Sequence, residues 1–251
     1  MGRKLLAFDV GNSRMKVALY DGDCLIVRES FAKREWGDCE RIMGSRFAPH
    51  GTPDGCLIAS VVQGVDESIQ DAVKAVWDIA PRVVDTTLDL GIGFAVPRPD
   101  RVGIDRLLEA SEAFHIVQGA VVVAAFGSAI TVDLVTAEGV FCGGIIAPGL
   151  RLGLKALHDE TSLLPKVDLQ PPDSAIGANT IACMQAGVVY GAAGAVERLF
   201  SEFASDRNAT LVLTGGDAEL MAAYVKTPHQ LEADLVIRAL VSLDRRLRNT
   251  N

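Results

Sequence analysis

Nothing in this chain is spaced like a disulfide framework or a zinc site. Its five cysteines (Cys24, Cys39, Cys56, Cys142 and Cys183) are odd in number, widely separated and contain no Cys-x-x-Cys pair. Reduced, mostly buried thiols are expected. The four histidines (His50, His115, His158 and His229) also lack metal-ligand spacing and read as ordinary surface or core residues. An excess of basic charge is missing too: the net charge is −8 and the pI about 5.0, which argues against a nucleic-acid surface. No run of five or six like charges occurs. The apolar stretch after Met1-Gly2-Arg3-Lys4 is broken by Asp9, so it serves neither as a signal-peptide core nor as a membrane span. A cytoplasmic protein without nucleic-acid or membrane partners is expected. What is present is 49% hydrophobic and 22% charged residues in 251 positions, enough for a folded core in one large domain or two small ones.

The first thirty residues read as an antiparallel meander: strands 4–9, 15–20 and 24–29, with Asp21-Gly22-Asp23 as hairpin turn. A helix is expected near 35–45, a buried strand at 56–62, an amphipathic helix at 67–77 and a short strand at 82–84. From Leu88 to Arg101 glycine, proline and isolated charges mark a linker or functional loop. A helix follows from about Ile104 to Gln118, its apolar side formed by Ile104, Leu107, Leu108 and Phe114. Ala120 then opens a second meander. Shifted by 116 positions, the first meander places Gly11 on Gly127, Asn12 on Ser128, and strand 15–20 on 131–136. Two copies suggest a duplicated architecture, divided at 1–118 and 119–251, although any two antiparallel meanders offer some such match. Later come a long helix at 179–203, a strand at 210–213 ending in Thr214-Gly215-Gly216-Asp217, and a closing helix at 235–247.

Three places hold residues suited to chemistry. In Asp9-Val10-Gly11-Asn12-Ser13, successive amides of a glycine-bearing turn form a concavity for phosphate oxygens. Asp9 can hold the accompanying divalent ion, with Lys16 as a mobile positive charge. A solvent-exposed hairpin would carry the same residues. Gly103-Ile104-Asp105-Arg106 puts a carboxylate and a guanidinium at a helix start. There Asp105 can accept a hydroxyl proton and Arg106 can bind an anionic group, or the pair simply suits the helix dipole and the surface. The paired glycines of Thr214-Gly215-Gly216-Asp217 allow close approach of a nucleotide, as they also allow a plain strand-to-helix turn.

Taken together with Gly-Ser-Ala-Ile-Thr-Val-Asp at 127–133, Gly-Gly-Ile-Ile-Ala-Pro-Gly at 143–149, Asn179-Thr180 and Met184-Gln185-Ala186-Gly187, these motifs resemble the actin-like acetate and sugar kinase superfamily. Within it, the match over nearly the full chain is to type III pantothenate kinases. The resemblance implies an α/β fold of duplicated RNase H-like domains, each a mixed sheet beginning with an antiparallel meander and flanked by helices. It further implies ATP with Mg²⁺ in the interdomain cleft, pantothenate as acceptor, and a homodimer. On that basis Asp9, Val10, Gly11, Asn12, Ser13, Arg14, Met15 and Lys16 form the first phosphate loop, with Asp9 the Mg²⁺ ligand, and Ser128 belongs to the second. Asp105 matches the catalytic base, and Gly103, Ile104, Asp105, Arg106 and Thr180 match the substrate contacts. The chain departs from the family at Ala125, where an aspartate associated with a bound K⁺ or ammonium ion is expected; Asp133 is the nearest carboxylate in sequence. The segment from Phe94 through Pro97 to Arg101 also lacks a tyrosine that the family often supplies. Ala125 leaves room for a non-catalytic relative acting as a binding or regulatory protein. A sugar or acetate kinase fits the phosphate loops but not the Gly-x-Asp-Arg and Asn-Thr context.

Overall fold

The structure, a computed structural model, describes residues 2–249. Its elements in chain order are β1 (Lys4–Val10), β2 (Arg14–Asp21), β3 (Cys24–Ala32), α1 (Cys39–Ile42), β4 (Gly55–Ser60), α2 (Val65–Trp77), β5 (Arg82–Val83), β6 (Gly93–Phe94) and α3 (Ile104–Val117). Then follow β7 (Val121–Phe126), β8 (Ala129–Val135), β9 (Val140–Pro148), α4 (Leu150–Asp159), α5 (Thr180–Phe203), β10 (Thr210–Thr214), α6 (Ala218–Ala222), β11 (His229–Leu231) and α7 (Leu235–Asn249). The chain forms two compact units. The first contains the residues up to Ile92, Pro97–Glu112 and the chain from Leu235 on; the second contains Gly93–Val96 and Ala113–Asp234. The units are therefore not contiguous halves. Helix α7 packs on β1, β2 and β4, burying Leu235, Ile237, Leu240 and Leu243.

Each unit is built on one mixed sheet. In the first the order is β3-β2-β1-β4-β5, and in the second it is β11-β10-β7-β8-β9-β6. Both begin with an antiparallel meander whose first strand pairs in parallel with a later one, β1 with β4 and β7 with β10. The duplicated α/β architecture is thus present in the pairing itself. Strands β1 and β7 are central and nearly continuous in apolar residues, because a central strand covered on both faces has no polar side to present. Leu6, Phe8, Met15 and Ile58 anchor the first core, and Val122, Phe126, Leu211 and Leu213 anchor the second.

The repeat is not a uniform shift of 116. Asp9 faces Lys16 across the first ladder, whereas Ala125, 116 positions on, faces Thr131, 115 positions after Lys16. The second turn is one residue shorter, and the next hairpin restores the register. The β-bulges agree with this, at Leu19/Tyr20 in one copy and Leu134/Val135 in the other. Strand 15–20 therefore corresponds to 130–135.

Other expectations are also adjusted. Residues 33–50 are not one helix; 3₁₀ turns flank the short α1 and a π-turn at Met43–Phe47. Of the cysteines only Cys39 and Cys56 are buried, while Cys24, Cys142 and Cys183 are exposed; all five are free. Part of the expected loop 88–101 forms β6, which pairs with β9 through Gly93 and Phe94. No helix among the described residues is long and apolar enough to cross a membrane.

Candidate active site

The first unit brings together two of the three sequence-marked places. Asp9 is the penultimate residue of β1, and the chain reverses through Gly11, Asn12 and Ser13, closed by the Gly11 amide donating to the Arg14 carbonyl at 3.0 Å. Asn12 and Ser13 are exposed at the tip, as a ligand-binding turn requires. Val10 and Met15 are buried in the core, so they offer a ligand only their backbone. Arg14 is drawn toward β3, its Nε donating to Ser30 Oγ at 2.8 Å and its Nη2 to the Ser30 carbonyl at 3.2 Å. Lys16 stands across from Asp9, with Nζ 3.9 Å from Oδ2.

Asp9 is largely buried, its side chain 16% exposed. Burial pushes its carboxyl up to about 6; Lys16 opposes the shift and the negative charge of Asp105 adds to it. Two carboxylates thus sense one another within this unit although 96 positions separate them in sequence. Asp105 occupies the first turn of α3, where its Oδ1 accepts the Arg106 amide at 2.8 Å. Burial raises its pKa above the ordinary aspartate value, with that hydrogen bond and the Arg106 guanidinium pulling the other way. A raised pKa suits a general base working near neutrality, because proton affinity and ionisation are then both useful. Gly103 is needed for this placement: a Cβ there would lie 2.5 Å from Asp105 Oδ1. Ile104 is buried and ties the helix start to the core, leaving Arg106 half-buried beside Asp105.

In the second unit, Gly127 and Ser128 form the exposed turn between β7 and β8. Two segments bond its backbone. The Gly149 amide, at the N-cap of α4, donates to the Ser128 carbonyl at 3.2 Å, and the Asp217 amide donates to the Phe126 carbonyl at 3.0 Å. Gly215, at φ +97°, lies so close to Phe126 that a Cβ would overlap its backbone, whereas a Cβ on Gly216 would meet open space. The glycine pair thus divides its work, one packing against β7 and the other leaving the loop open. Asn179 caps α5 by accepting the Ala182 amide at 2.9 Å, and Thr180 is exposed at the first helical position. Ala125 is buried opposite Thr131, so the ionic pair of the first copy is replaced by two uncharged residues. Asp133 is buried on the same sheet face as Ala125, two pairs further along the ladder, opposite Val123.

No group of three or more His, Cys, Asp or Glu side chains suited to a metal occurs among the described residues. A nucleotide-borne Mg²⁺ needs only one or two carboxylates besides phosphate oxygens, and Asp9 provides such a donor. A separate cavity of about 470 Å³ is lined by residues including Trp36, Cys39, Glu40, Val65 and Asp71, and involves none of these site residues. Sequence reading missed Arg151 and the Asp217 side chain, whose Nη1 and carboxylate oxygens lie 2.7 and 2.9 Å apart. Only the fold brings these residues, 66 positions apart, together.

Paired sheets of this order, each opening with a turn that ends its first strand, define the actin-like ATPase and sugar kinase class. In keeping with that, the chain superposes on MreB 5 of Spiroplasma citri, solved with AMPPNP, with a TM-score of 0.55 at 8% identity, covering 100% of this chain and 98% of that one. A glucokinase from an Antarctic psychrotroph gives 0.53 at 11%, covering 98% and 100%. The family model for type III pantothenate kinase matches residues 5–202. The type III pantothenate kinase of Paramagnetospirillum magneticum is 36% identical over 261 aligned positions, covering 96% of this chain and 97% of that protein. The chain belongs to the type III pantothenate kinase family.

Proposed function

We propose that this protein phosphorylates the primary alcohol of pantothenate with ATP, giving 4′-phosphopantothenate, the first step of coenzyme A synthesis. The observation that carries the reading is the buried, electrostatically coupled pair Asp9 and Asp105, retained in a chain that matches the family almost end to end.

Asp105 accepts the alcohol proton as the alcohol oxygen attacks the γ-phosphorus; the bond from that phosphorus to the bridging oxygen breaks, and ADP leaves. Amides of the Asp9–Lys16 turn and of the Ser128 turn hold the phosphate oxygens, and Lys16 adds positive charge. Asp9 would hold the Mg²⁺ that comes with ATP, and the ion would supply neutralisation of charge on the phosphoryl oxygens. Gly103 and Ile104 shape the acceptor pocket, Arg106 pairs with the pantothenate carboxylate, and Thr180 provides a hydroxyl contact. At the position of the family's monovalent-cation ligand, Ala125 and Thr131 offer no charge, so K⁺ or ammonium stimulates turnover weakly or not at all. Two copies associate as a homodimer, for which the individually exposed apolar residues Ile146, Leu152, Ile181 and Tyr190 of β9, α4 and α5 are candidate contacts. The enzyme works in the cytoplasm.

A coupled ADP-release assay with ATP, Mg²⁺ and pantothenate tests the reading, run with and without K⁺ or ammonium and repeated with Asp105→Asn. Pantothenate-dependent turnover that vanishes in Asp105→Asn is the expected result. Absence of turnover in every salt would remove the kinase assignment, and full turnover in Asp105→Asn would remove Asp105 as base.

A further inference from the structure

We propose that Arg151, held in place by Asp217, is a phosphate-binding cation of the second unit. The proposal rests on the ATP-dependent reading above and adds a ligand contact to it.

In the first unit the cation beside the turn is Lys16, directly across from Asp9. The equivalent positions of the second unit, Thr131 and Ala125, are uncharged, so this turn has no cation from its own strands. A guanidinium reaches the neighbourhood by another route. Gly149 bonds the carbonyl of Ser128, and two residues later α4 presents Arg151. From the other side, Asp217 bonds the carbonyl of Phe126 through its amide and holds Arg151 through its carboxylate. The ion pair therefore joins the two segments that clasp residues 126–128.

Its construction suits a ligand better than it suits stability. Arg151 is 67% exposed and Asp217 only 16%, and an ion pair so open to solvent contributes little to folding. Both contacts use the single nitrogen Nη1, so the accessible fork retains Nη2 and Nε for planar, two-point donation to phosphate oxygens. Open space beside Gly216 leaves room for the ligand in the same loop. Asp217 orients Arg151 and is a positioning residue; Arg151 makes the contact.

The test compares ATP and adenosine binding by titration calorimetry for the wild-type chain, Arg151→Ala, Arg151→Lys and Asp217→Asn, with KM values measured alongside. Loss of a charge-assisted phosphate contact corresponds to roughly a tenfold or greater weakening. Arg151→Ala is therefore expected to weaken ATP binding and raise the KM for ATP by that factor while leaving adenosine affinity and the KM for pantothenate unchanged. Arg151→Lys restores part of the loss, and Asp217→Asn gives a smaller defect. Unaltered ATP affinity in Arg151→Ala overturns the proposal. So does an equal loss for adenosine, which would mean that the loop had merely collapsed. A wild-type chain that binds ATP with the expected Arg151 dependence but does not turn over pantothenate removes the substrate reading and leaves this assignment standing. A wild-type chain that binds no ATP removes both.

Discussion

Replacing Asp9 with asparagine should stabilise the first unit while abolishing turnover. In the folded chain burial lifts the Asp9 carboxyl from 3.8 to about 6, so between those values the folded state holds a proton that the unfolded chain has released. Stability then falls as pH rises through this window, and above it the whole cost of burying the charge is present. A shift of about two units corresponds to about 3 kcal/mol. Asparagine has the same shape and no charge to desolvate. Near pH 8, Asp9→Asn should exceed wild type by up to about 3 kcal/mol, a figure in which the lost attraction to Lys16 is already included, and near pH 4 most of the difference should vanish. Urea unfolding followed by tryptophan fluorescence reads the relevant unit, because the chain's two tryptophans, Trp36 and Trp77, both lie in it. The informative quantity is the change in the gap between variant and wild type from pH 4 to pH 8, in which titrating groups that do not interact with Asp9 cancel and the coupled Asp105 adds a smaller contribution. A gap that stays constant, or widens toward acid, would refute desolvation as the origin of the Asp9 shift. Activity in the same variant should be lost, since the amide neither carries charge nor binds Mg²⁺ as a carboxylate does.

Further outcomes follow from the same geometry. Gly103→Ala puts a Cβ 2.5 Å from Asp105 Oδ1, so kcat should drop at least tenfold while the circular dichroism spectrum is retained. The acid limb of kcat/KM should report an apparent pKa above the usual aspartate range, activity rising with pH as the coupled carboxylates Asp9 and Asp105 ionise; a limb at the ordinary aspartate value would count against the burial of both. Asp9→Asn should damage turnover more than Ser128→Ala, because the first turn carries a carboxylate and a lysine where the second has Ala125 and Thr131; equal losses would count against that asymmetry.

Much of the fold was legible because its signals are local. The near-continuous apolar runs of β1 and β7, the glycine turns and the capped start of α5 each follow from residues adjacent in sequence, and the two meanders followed from repeating that pattern. The segment 33–50 was harder to read because Gly37, Gly44 and Pro49 interrupt its helical periodicity and leave 3₁₀ and π turns in place of one helix. Asp9, Asp105 and the turn glycines could be named as candidates because turn amides suit phosphate oxygens and a carboxylate at a helix start suits proton transfer, although each also has an ordinary structural use.

Sequence by itself therefore determined the strand meanders, the two turns and the candidate groups proposed for phosphoryl transfer, since these depend on backbone preferences and side-chain chemistry over short spans. Tertiary structure decided what depends on distance between remote segments. It set the burial and mutual charge that lift Asp9, the one-residue shortening of the second turn, the return of α7 to the first unit, and the meeting of Arg151 with Asp217. Burial, field and contact are properties of packing, and no span of neighbouring residues encodes them alone.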